Sequence, residues 1–345
     1  MADSLLLRAL KGKPKQITLS SKKLVMLPKL IGKIESVVQL HLQNNRLKTL
    51  PKEMENLDQL QVLNLGKNEF EDLPEVIRFL TSLERLHLFA NRLTSLNPDV
   101  VASLYKLTVL NLNNNKLTSL PPEIYKMSNL RHLSVDNNQL KTLPVELCAL
   151  SYLEELHLAG NELVSLPLEF GFLTRLVKLH VQKNKIRELP ESLTKCYNLR
   201  YLDIAANELR IFPTEMDTLS LKEMYCEQNP LLEYKPVHSV QEEEVLSLKE
   251  LCARYVLKEM KDRFSYLQHK IRHFPEIKEM LQQSSRCAVC GESFLNTWLE
   301  CVRFLDSKKS LKVGNFLGTL PVRALLCSYT CFNAGGHDYY GVAFP

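Results

Sequence analysis

The sequence predicts an α/β fold: a solenoid with a curved parallel sheet on its concave face, then a helical cap and a small C-terminal cysteine module. Three observations lead to this prediction. A leucine pattern returns every 22 to 24 residues over the first two thirds of the 345-residue chain. The periodicity then changes to that of an amphipathic helix. Finally, five cysteines crowd into positions 287 to 331.

The repeated pattern is L-x-x-L-x-L-x-x-N-x-L-x-x-L-P. It is complete at residues 107–121, 130–144, 153–167 and 176–190. Weaker copies extend it in both directions, so that about ten copies of about 23 residues run along the chain. This period is typical of leucine-rich repeats, which stack into a solenoid because one copy alone cannot bury its own leucines.

The Asn of each copy is expected at the bend that follows a short strand. There its side-chain amide can donate and accept hydrogen bonds between neighbouring copies, which forms a buried ladder. Lys22 takes this position in the first copy. The predicted ladder consists of Asn45, Asn68, Asn91, Asn115, Asn138, Asn161, Asn184, Asn207 and Asn229.

The concave face of the sheet is the predicted binding surface for a protein partner. In each L-x-L stretch the two leucines point inward, so the residue between them and the residue before them face outward. Adjacent imidazoles at His157 and His180 also allow a metal-binding or pH-sensing interpretation. The predicted partner-binding residues are His41, His87, Phe89, His132, His157, His180, Tyr201 and Tyr225.

An amphipathic helix is expected after the repeats, with Leu248, Leu251, Cys252, Tyr255 and Val256 on one face. One hypothesis is that this face covers the open end of the solenoid. The alternative is that Leu248, Cys252 and Val256 act as a docking site for another protein. These residues resemble the S-L-x-x-x-C-x-x-x-V box by which substrate receptors of cullin-RING ubiquitin ligases bind elongin C.

The cysteines near the C-terminus predict a structural zinc site. Cys287 and Cys290 form a C-x-x-C-G turn, and Cys327 and Cys331 supply a second pair after two predicted strands. Four thiolates make a closed tetrahedral site, which has no open position for catalysis. The order of knuckle, hairpin and helix resembles a treble-clef zinc finger. Unmetallated core thiols are the alternative, and Cys301 is expected to serve packing rather than the metal.

Composition restricts the possible functions. The net charge of +5 comes without a long basic block, which argues against nucleic-acid binding. No run of 18 apolar residues or secretory signal is found, and an odd number of clustered cysteines fits a reducing compartment, so we expect a cytoplasmic protein away from the membrane. Nucleotide-binding and hydrolase motifs such as G-x-G-x-x-G and H-E-x-x-H are missing, which predicts a protein that is not an enzyme.

Four regions follow from these patterns. They are an N-terminal cap at 1–14, the leucine-rich repeat solenoid at 15–235, a helical capping segment at 236–285 and the four-cysteine module at 286–345.

As a whole, the chain resembles the cytosolic leucine-rich repeat-containing proteins that end in a small cysteine module. The resemblance lies in RALKGKPKQITLSSKKL, LKEMYCEQNPL, CAVCGESFLNTWLECVRF and LLCSYTCF. It implies an interaction protein without an assigned activity. The main hypothesis is therefore a non-catalytic scaffold with one structural zinc ion. The alternatives are a ubiquitin-ligase receptor that binds elongin B/C and a cullin, and a regulatory subunit in a phosphatase or small GTPase pathway.

Overall fold

The computed structural model describes residues 6–7, 10–233, 246–262, 265–295, 299–307, 318–334 and 336–341. The chain divides into two compact units. The first unit holds the described residues up to 209 together with 217–230. The second holds 210–216 and the described residues from 231 onward.

The first unit is built on one parallel sheet of ten strands, whose order in the sheet is their order in the sequence. In every strand the middle residue is buried in the core. The alternation of a strand places the first and third side chains on the opposite face. The strands are β1 Gln16–Thr18, β2 Gln39–His41, β3 Val62–Asn64, β4 Arg85–His87, β5 Val109–Asn111, β6 His132–Ser134, β7 Glu155–His157, β8 Lys178–His180, β9 Tyr201–Asp203 and β10 Glu223–Tyr225.

Short helical turns carry the chain from each strand to the next. Most begin directly after a proline, whose fixed φ and missing N–H suit a helix start. One is an α-helix, α1 Pro98–Ser103, in which the Asn97 side chain accepts a hydrogen bond from the Asp99 amide. The 3₁₀ turns are Lys29–Lys33, Lys52–Asn56, Glu75–Phe79, Pro122–Lys126, Val145–Ala149, Leu168–Phe172, Glu191–Lys195 and Met216–Thr218.

A ladder of buried asparagines ties each repeat to its neighbours. Asn138 is representative: its Nδ2 donates to the carbonyls of Leu112 and Val135, both at 3.1 Å, and its Oδ1 accepts from the Leu117 amide at 3.0 Å. Equivalent hydrogen bonds are made by Asn45, Asn68, Asn91, Asn115, Asn161, Asn184, Asn207 and Asn229. The residue before each ladder Asn has a positive φ, which turns the chain out of the strand.

The second unit contains helices, a hairpin and a cysteine cluster. Its helices are α2 Leu248–Glu259, α3 Tyr266–Lys270, α4 Pro275–Gln282 and α5 Tyr329–Asn333, with a 3₁₀ turn at Ile271–His273. Its strands are β11 Ser285–Arg286, β12 Ser293–Phe294, β13 Leu299–Asp306, β14 Thr319–Leu326 and β15 Tyr340–Gly341. Strand β13 pairs antiparallel with β14 and β15, and β11 pairs with β12. In the described parts of the chain, no helix has the length and apolarity to cross a membrane.

Helix α2 presents its apolar stripe to solvent rather than to a core. Leu248, Leu251 and Tyr255 are exposed, while Glu250 and Ala253 on the other side of the helix are buried. Ala253 joins Leu295 in a small hydrophobic cluster of the second unit. The predicted α2 residues before 246 lie outside the described residues, as do 1–5 and 8–9 of the predicted N-terminal cap and 296–298 of the first predicted hairpin strand.

Candidate functional site

The first candidate site is the open sheet face, which we define as the first and third residues of strands β1 to β10. These side chains are half-buried or exposed, because the alternation of the strands turns them away from the leucine core. His41, His87, His157 and His180 each occupy the third position of a strand, and His132 occupies the first. The five histidines that the sequence predicted for this surface therefore share one face of the sheet.

Glu155 connects side chains from three neighbouring strands at the middle of the open sheet face. Its carboxylate lies 2.9 Å from Lys178 Nζ, 3.4 Å from His132 Nδ1 and 3.6 Å from His157 Nε2. Burial opposes ionisation of Glu155, but its hydrogen bond to Lys178 and the charge of Lys178 outweigh this and lower its pKa. The same hydrogen bond raises the pKa of Lys178. The pair is thus charged at neutral pH and fixes the side chains around it.

His157 and His180 stack beside this network. Their ring centroids are 4.5 Å apart and their planes differ by 10°. Burial and the charge that His157 would carry lower the pKa of His180, so its neutral form is favoured at neutral pH. A neutral His180 ring can stack on His157 without repulsion between two charges. Neither histidine lies in a group of three metal-ligating side chains among the described residues.

The three aromatic residues among the predicted partner-binding residues have different surroundings. Phe89 is half-buried, and its ring covers Gly66 so closely that a Cβ at Gly66 would lie 2.3 Å from Phe89 Cε1. Lys178 Nζ lies 5.8 Å from the centre of the Tyr201 ring. Tyr225 is 40% exposed, and its hydroxyl donates to Glu223 Oε2 at 3.0 Å. Tyr225 therefore offers the most accessible ring of the three.

The second candidate site is a cluster of four thiols in the second unit. The Sγ atoms of Cys287, Cys290, Cys327 and Cys331 all lie within 4.8 Å of one another. Cys327 Sγ is 3.5 Å from Cys290 Sγ and 3.6 Å from Cys331 Sγ. In a tetrahedral zinc site with Zn–S bonds of about 2.3 Å, neighbouring sulfurs are roughly 3.8 Å apart. The cluster therefore has the dimensions of a four-thiolate zinc site.

The backbone around Cys287 favours a thiolate. Gly291 has a φ of +73° and donates its N–H to the Cys287 carbonyl at 2.9 Å, which closes the C-x-x-C-G turn. Burial opposes ionisation of the Cys287 thiol, but the backbone N–H groups of Cys290, Cys327 and Val289 outweigh it and lower its pKa to about 7. Thiolate is the form that binds a metal.

Other cysteines lack these features. Cys301 is buried in the hydrophobic cluster of the module, and burial raises its pKa to about 12. Burial likewise raises the pKa values of Cys148, Cys196 and Cys226 to about 12. These four thiols are core residues, and none of them belongs to the group of four sulfurs that could hold a metal ion.

Sequence reasoning missed a buried ion pair that connects α2 to the cysteine cluster. Glu250 is 1% exposed and accepts hydrogen bonds from Arg254 Nε at 2.7 Å and from the Leu295 amide at 3.0 Å. Arg254 also donates to the carbonyl of Cys327 at 2.7 Å. The i, i+4 spacing of an acid and an Arg was the only signal in the sequence, and such pairs usually lie on the surface.

The residues that resemble an elongin C-binding box lie on α2. Leu248 and Cys252 are exposed on the same face, whereas Val256 is half-buried against the cluster that contains Ala253 and Leu295. Docking of elongin C stays a hypothesis.

Comparison with known proteins agrees with the repeat architecture. The family described as "Leucine rich repeat" matches residues 35–93, 81–140 and 106–163. Leucine-rich repeat-containing protein 69 of Xenopus laevis is 48% identical over 132 residues, which are 38% of this chain and 38% of that protein. The alignment thus spans little more than a third of the relative's length, and the predicted resemblance to this group of proteins is confirmed.

Two solved structures are similar in fold. One is the leucine-rich effector protein YopM from Yersinia pestis, at 26% identity and a TM-score of 0.56, covering 68% of this chain and 60% of that one. The other is the plant peptide hormone receptor RGFR1 in complex with RGF2, at 26% identity and a TM-score of 0.52, covering 60% of this chain and 38% of that one. The predicted fold class, a leucine-rich repeat solenoid with C-terminal helices and a cysteine cluster, is confirmed.

Proposed function

We propose that this protein is a non-catalytic interaction module that binds a protein partner on the open sheet face. The observation that supports this most directly is the division of each strand. In each strand the middle side chain is buried in the core and the side chains before and after it remain accessible. Over the ten strands, these accessible positions include five histidines and two tyrosines. Leucine-rich repeat proteins typically use such surfaces for binding.

The chemistry of the face suits protein recognition. Its centre is polar, with the Glu155 network and the stacked imidazoles held in place by direct contacts. Preorganised side chains lose little conformational entropy when a partner binds. The structure of RGFR1 with RGF2 shows a solenoid of similar fold holding another molecule, and this likeness supports the same general role here.

Site-specific photo-crosslinking in cells tests the location of binding. A benzophenone amino acid would replace Tyr201 on the open sheet face, or Tyr125 in the 3₁₀ turn Pro122–Lys126, which is 42% exposed. Both substitutions exchange one aromatic side chain for another in the same unit. We expect adducts from position 201 and not from position 125, with mass spectrometry to identify the partner.

The positions that give adducts, and the proteins found in them, decide the outcome of this test. Adducts from position 125 alone, or equally from both positions, would contradict binding on the open sheet face. A phosphatase or a small GTPase among the adducts would favour the regulatory-subunit alternative, whereas elongin B/C, which would dock on α2, is tested by co-purification. For elongin, Leu248→Ala with Cys252→Ala should abolish the interaction, while changes at Phe89 and Tyr201 should not.

We also propose that Cys287, Cys290, Cys327 and Cys331 hold one structural zinc ion. The sulfur separations and the lowered pKa of Cys287 support this assignment. A closed four-thiolate site would stabilise a module whose own hydrophobic cluster is small. Zinc would have a structural role here, because four protein ligands leave no position for a substrate.

Metal analysis with matched variants tests the zinc site. The purified protein should contain about one zinc per chain. Cys287→Ser with Cys290→Ser should abolish this, whereas Cys252→Ser, at an exposed thiol of α2, should leave it intact. Cobalt substitution should give the absorption of tetrahedral thiolate coordination. Unchanged zinc content in the double variant would refute the assignment.

A further inference from the structure

The charge of the open sheet face changes along the sheet. At the first and third strand positions, β1 to β5 carry one charged side chain, the basic Arg85. The same positions of β7 to β10 carry the acids Glu155, Asp203 and Glu223, with Lys178 as the one lysine. Glu227, exposed just after β10, adds another acid at this end.

We define the acidic end of the open sheet face as Tyr201, Asp203, Glu223, Tyr225 and Glu227. The basic groups beside it do little to neutralise it. Lys178 is paired with Glu155, at 2.9 Å. His180 lies 4.0 Å from Asp203, but burial and His157 lower its pKa, so it is mainly neutral at pH 7.

The pKa of Tyr225 is affected by the negative charges around its phenol. Its hydrogen bond to Glu223 and the charges of Glu223, Asp203 and Glu227 raise the pKa of its phenol. Glu227 also contributes to the raised pKa of Asp203, although burial is the main cause. A positive charge placed here would be attracted by several carboxylates at once.

Aromatic rings add a second feature that favours cations. The face of a tyrosine ring attracts ammonium and guanidinium groups at centroid distances up to about 6 Å. Lys178 already makes such a contact with Tyr201, at 5.8 Å. Tyr225 is 40% exposed, so its ring can accept an equivalent group from another molecule.

We propose that the partner presents a segment rich in Lys and Arg side chains to the acidic end of the open sheet face. The proposal rests on the proposed function, since it specifies the chemistry of the protein that the sheet binds. Carboxylates attract the charges of such a segment, and the exposed ring of Tyr225 stacks against them. Complementary charge speeds association and makes it sensitive to salt.

Fluorescence anisotropy with fluorescein-labelled octa-arginine tests this proposal, with octa-glutamate as the probe of opposite charge. Octa-arginine should bind the full chain at low ionic strength, weaken with added salt, and compete with the photo-crosslink from position 201. Asp203→Asn with Glu227→Gln should weaken binding by about fivefold to tenfold, since two ion pairs at the surface, one to the half-buried Asp203 and one to the exposed Glu227, together contribute roughly 1 to 1.4 kcal/mol. Asparagine at 203 can still accept the Ala205 amide hydrogen bond, so the fold should be retained.

The control is Glu55→Gln with Asp58→Asn, which removes two exposed acids of the same unit from the 3₁₀ turn Lys52–Asn56 and the turn after it. This variant should bind octa-arginine as the wild type does. Equal weakening by both double variants, or no binding of octa-arginine to the wild type, would overturn the proposal. Crosslinks from position 201 with an unchanged yield in Asp203→Asn with Glu227→Gln would also overturn it, while leaving the proposed function in place.

Discussion

Replacing Asn138 with alanine tests how the repeats are held together. Asn138 lies at the centre of the ladder, is 8% exposed, and connects two neighbouring repeats through its side chain. Alanine removes the amide without adding bulk. It leaves the Leu117 N–H without its side-chain acceptor, whereas the carbonyls of Leu112 and Val135 each lose one donor and keep another, from Asn115 and Asn161.

The expected loss follows from these three hydrogen bonds, of 3.0, 3.1 and 3.1 Å. Each contributes about 1 kcal/mol net, and the buried Leu117 N–H that is left without a partner costs at least as much. The free energy of local opening should therefore fall by about 3 kcal/mol, which is roughly a 150-fold change in the opening equilibrium.

Amide hydrogen exchange is the appropriate assay, because a repeat array can open locally and need not unfold in one step. The Leu117 amide should exchange roughly 100-fold faster in Asn138→Ala. The control is Asn129→Ala, which removes one solvent-exposed hydrogen bond to the Tyr105 carbonyl, of 2.9 Å. Unchanged exchange at Leu117, or equal acceleration by the control, would refute the role assigned to the ladder.

Three further predictions concern other parts of the chain. Burial and the neighbouring His157 lower the pKa of His180 from 6.5, so the unfolded chain binds a proton at a higher pH than the folded chain does. The free energy of unfolding in urea should therefore decrease as the pH drops below about 6.5, and it should decrease less in His180→Gln. Gly171→Ala should cost about 1 to 3 kcal/mol in urea unfolding, because its Cβ would lie 2.5 Å from the Ser192 carbonyl oxygen, whereas Gly12→Ala, with open space around it, should cost little. Arg254→Ala should lower the melting temperature and release zinc to a chelator more readily, because it removes the ion-pair partner of the buried Glu250 and a hydrogen bond to the Cys327 carbonyl; unchanged zinc retention would contradict this coupling.

The repeats could be predicted well because the spacing of the leucines and the position of the Asn both indicate the same strand-and-bend unit. Leucines two residues apart lie on the same face of a strand but on opposite sides of a helix, and an Asn at a fixed distance after them can satisfy the next bend. Each copy confirms the register of the others. The open sheet face follows from the same alternation, so the sequence placed His157 and His180 side by side. It did not predict that Glu155 would bind Lys178 and contact both His132 and His157, since that depends on side-chain conformations across three strands.

The buried face of helix α2 could not be predicted from the periodicity of its sequence. Its sequence has an apolar stripe that contains Leu248, and periodicity alone predicts that the stripe is buried. The structure buries the opposite face instead, because Glu250 is satisfied there by Arg254 and by the Leu295 amide. A charged side chain can enter a core only when hydrogen-bond partners are supplied there, and one of the partners of Glu250, Leu295, is 45 positions away. The periodicity of a sequence shows only where the apolar residues of one helix lie. Which face of α2 is buried depends also on hydrogen bonds from another segment, here the Leu295 amide. Helix α2 can therefore be stable with its apolar side chains exposed, because the Glu250–Arg254 pair on its other face is buried with its hydrogen bonds made.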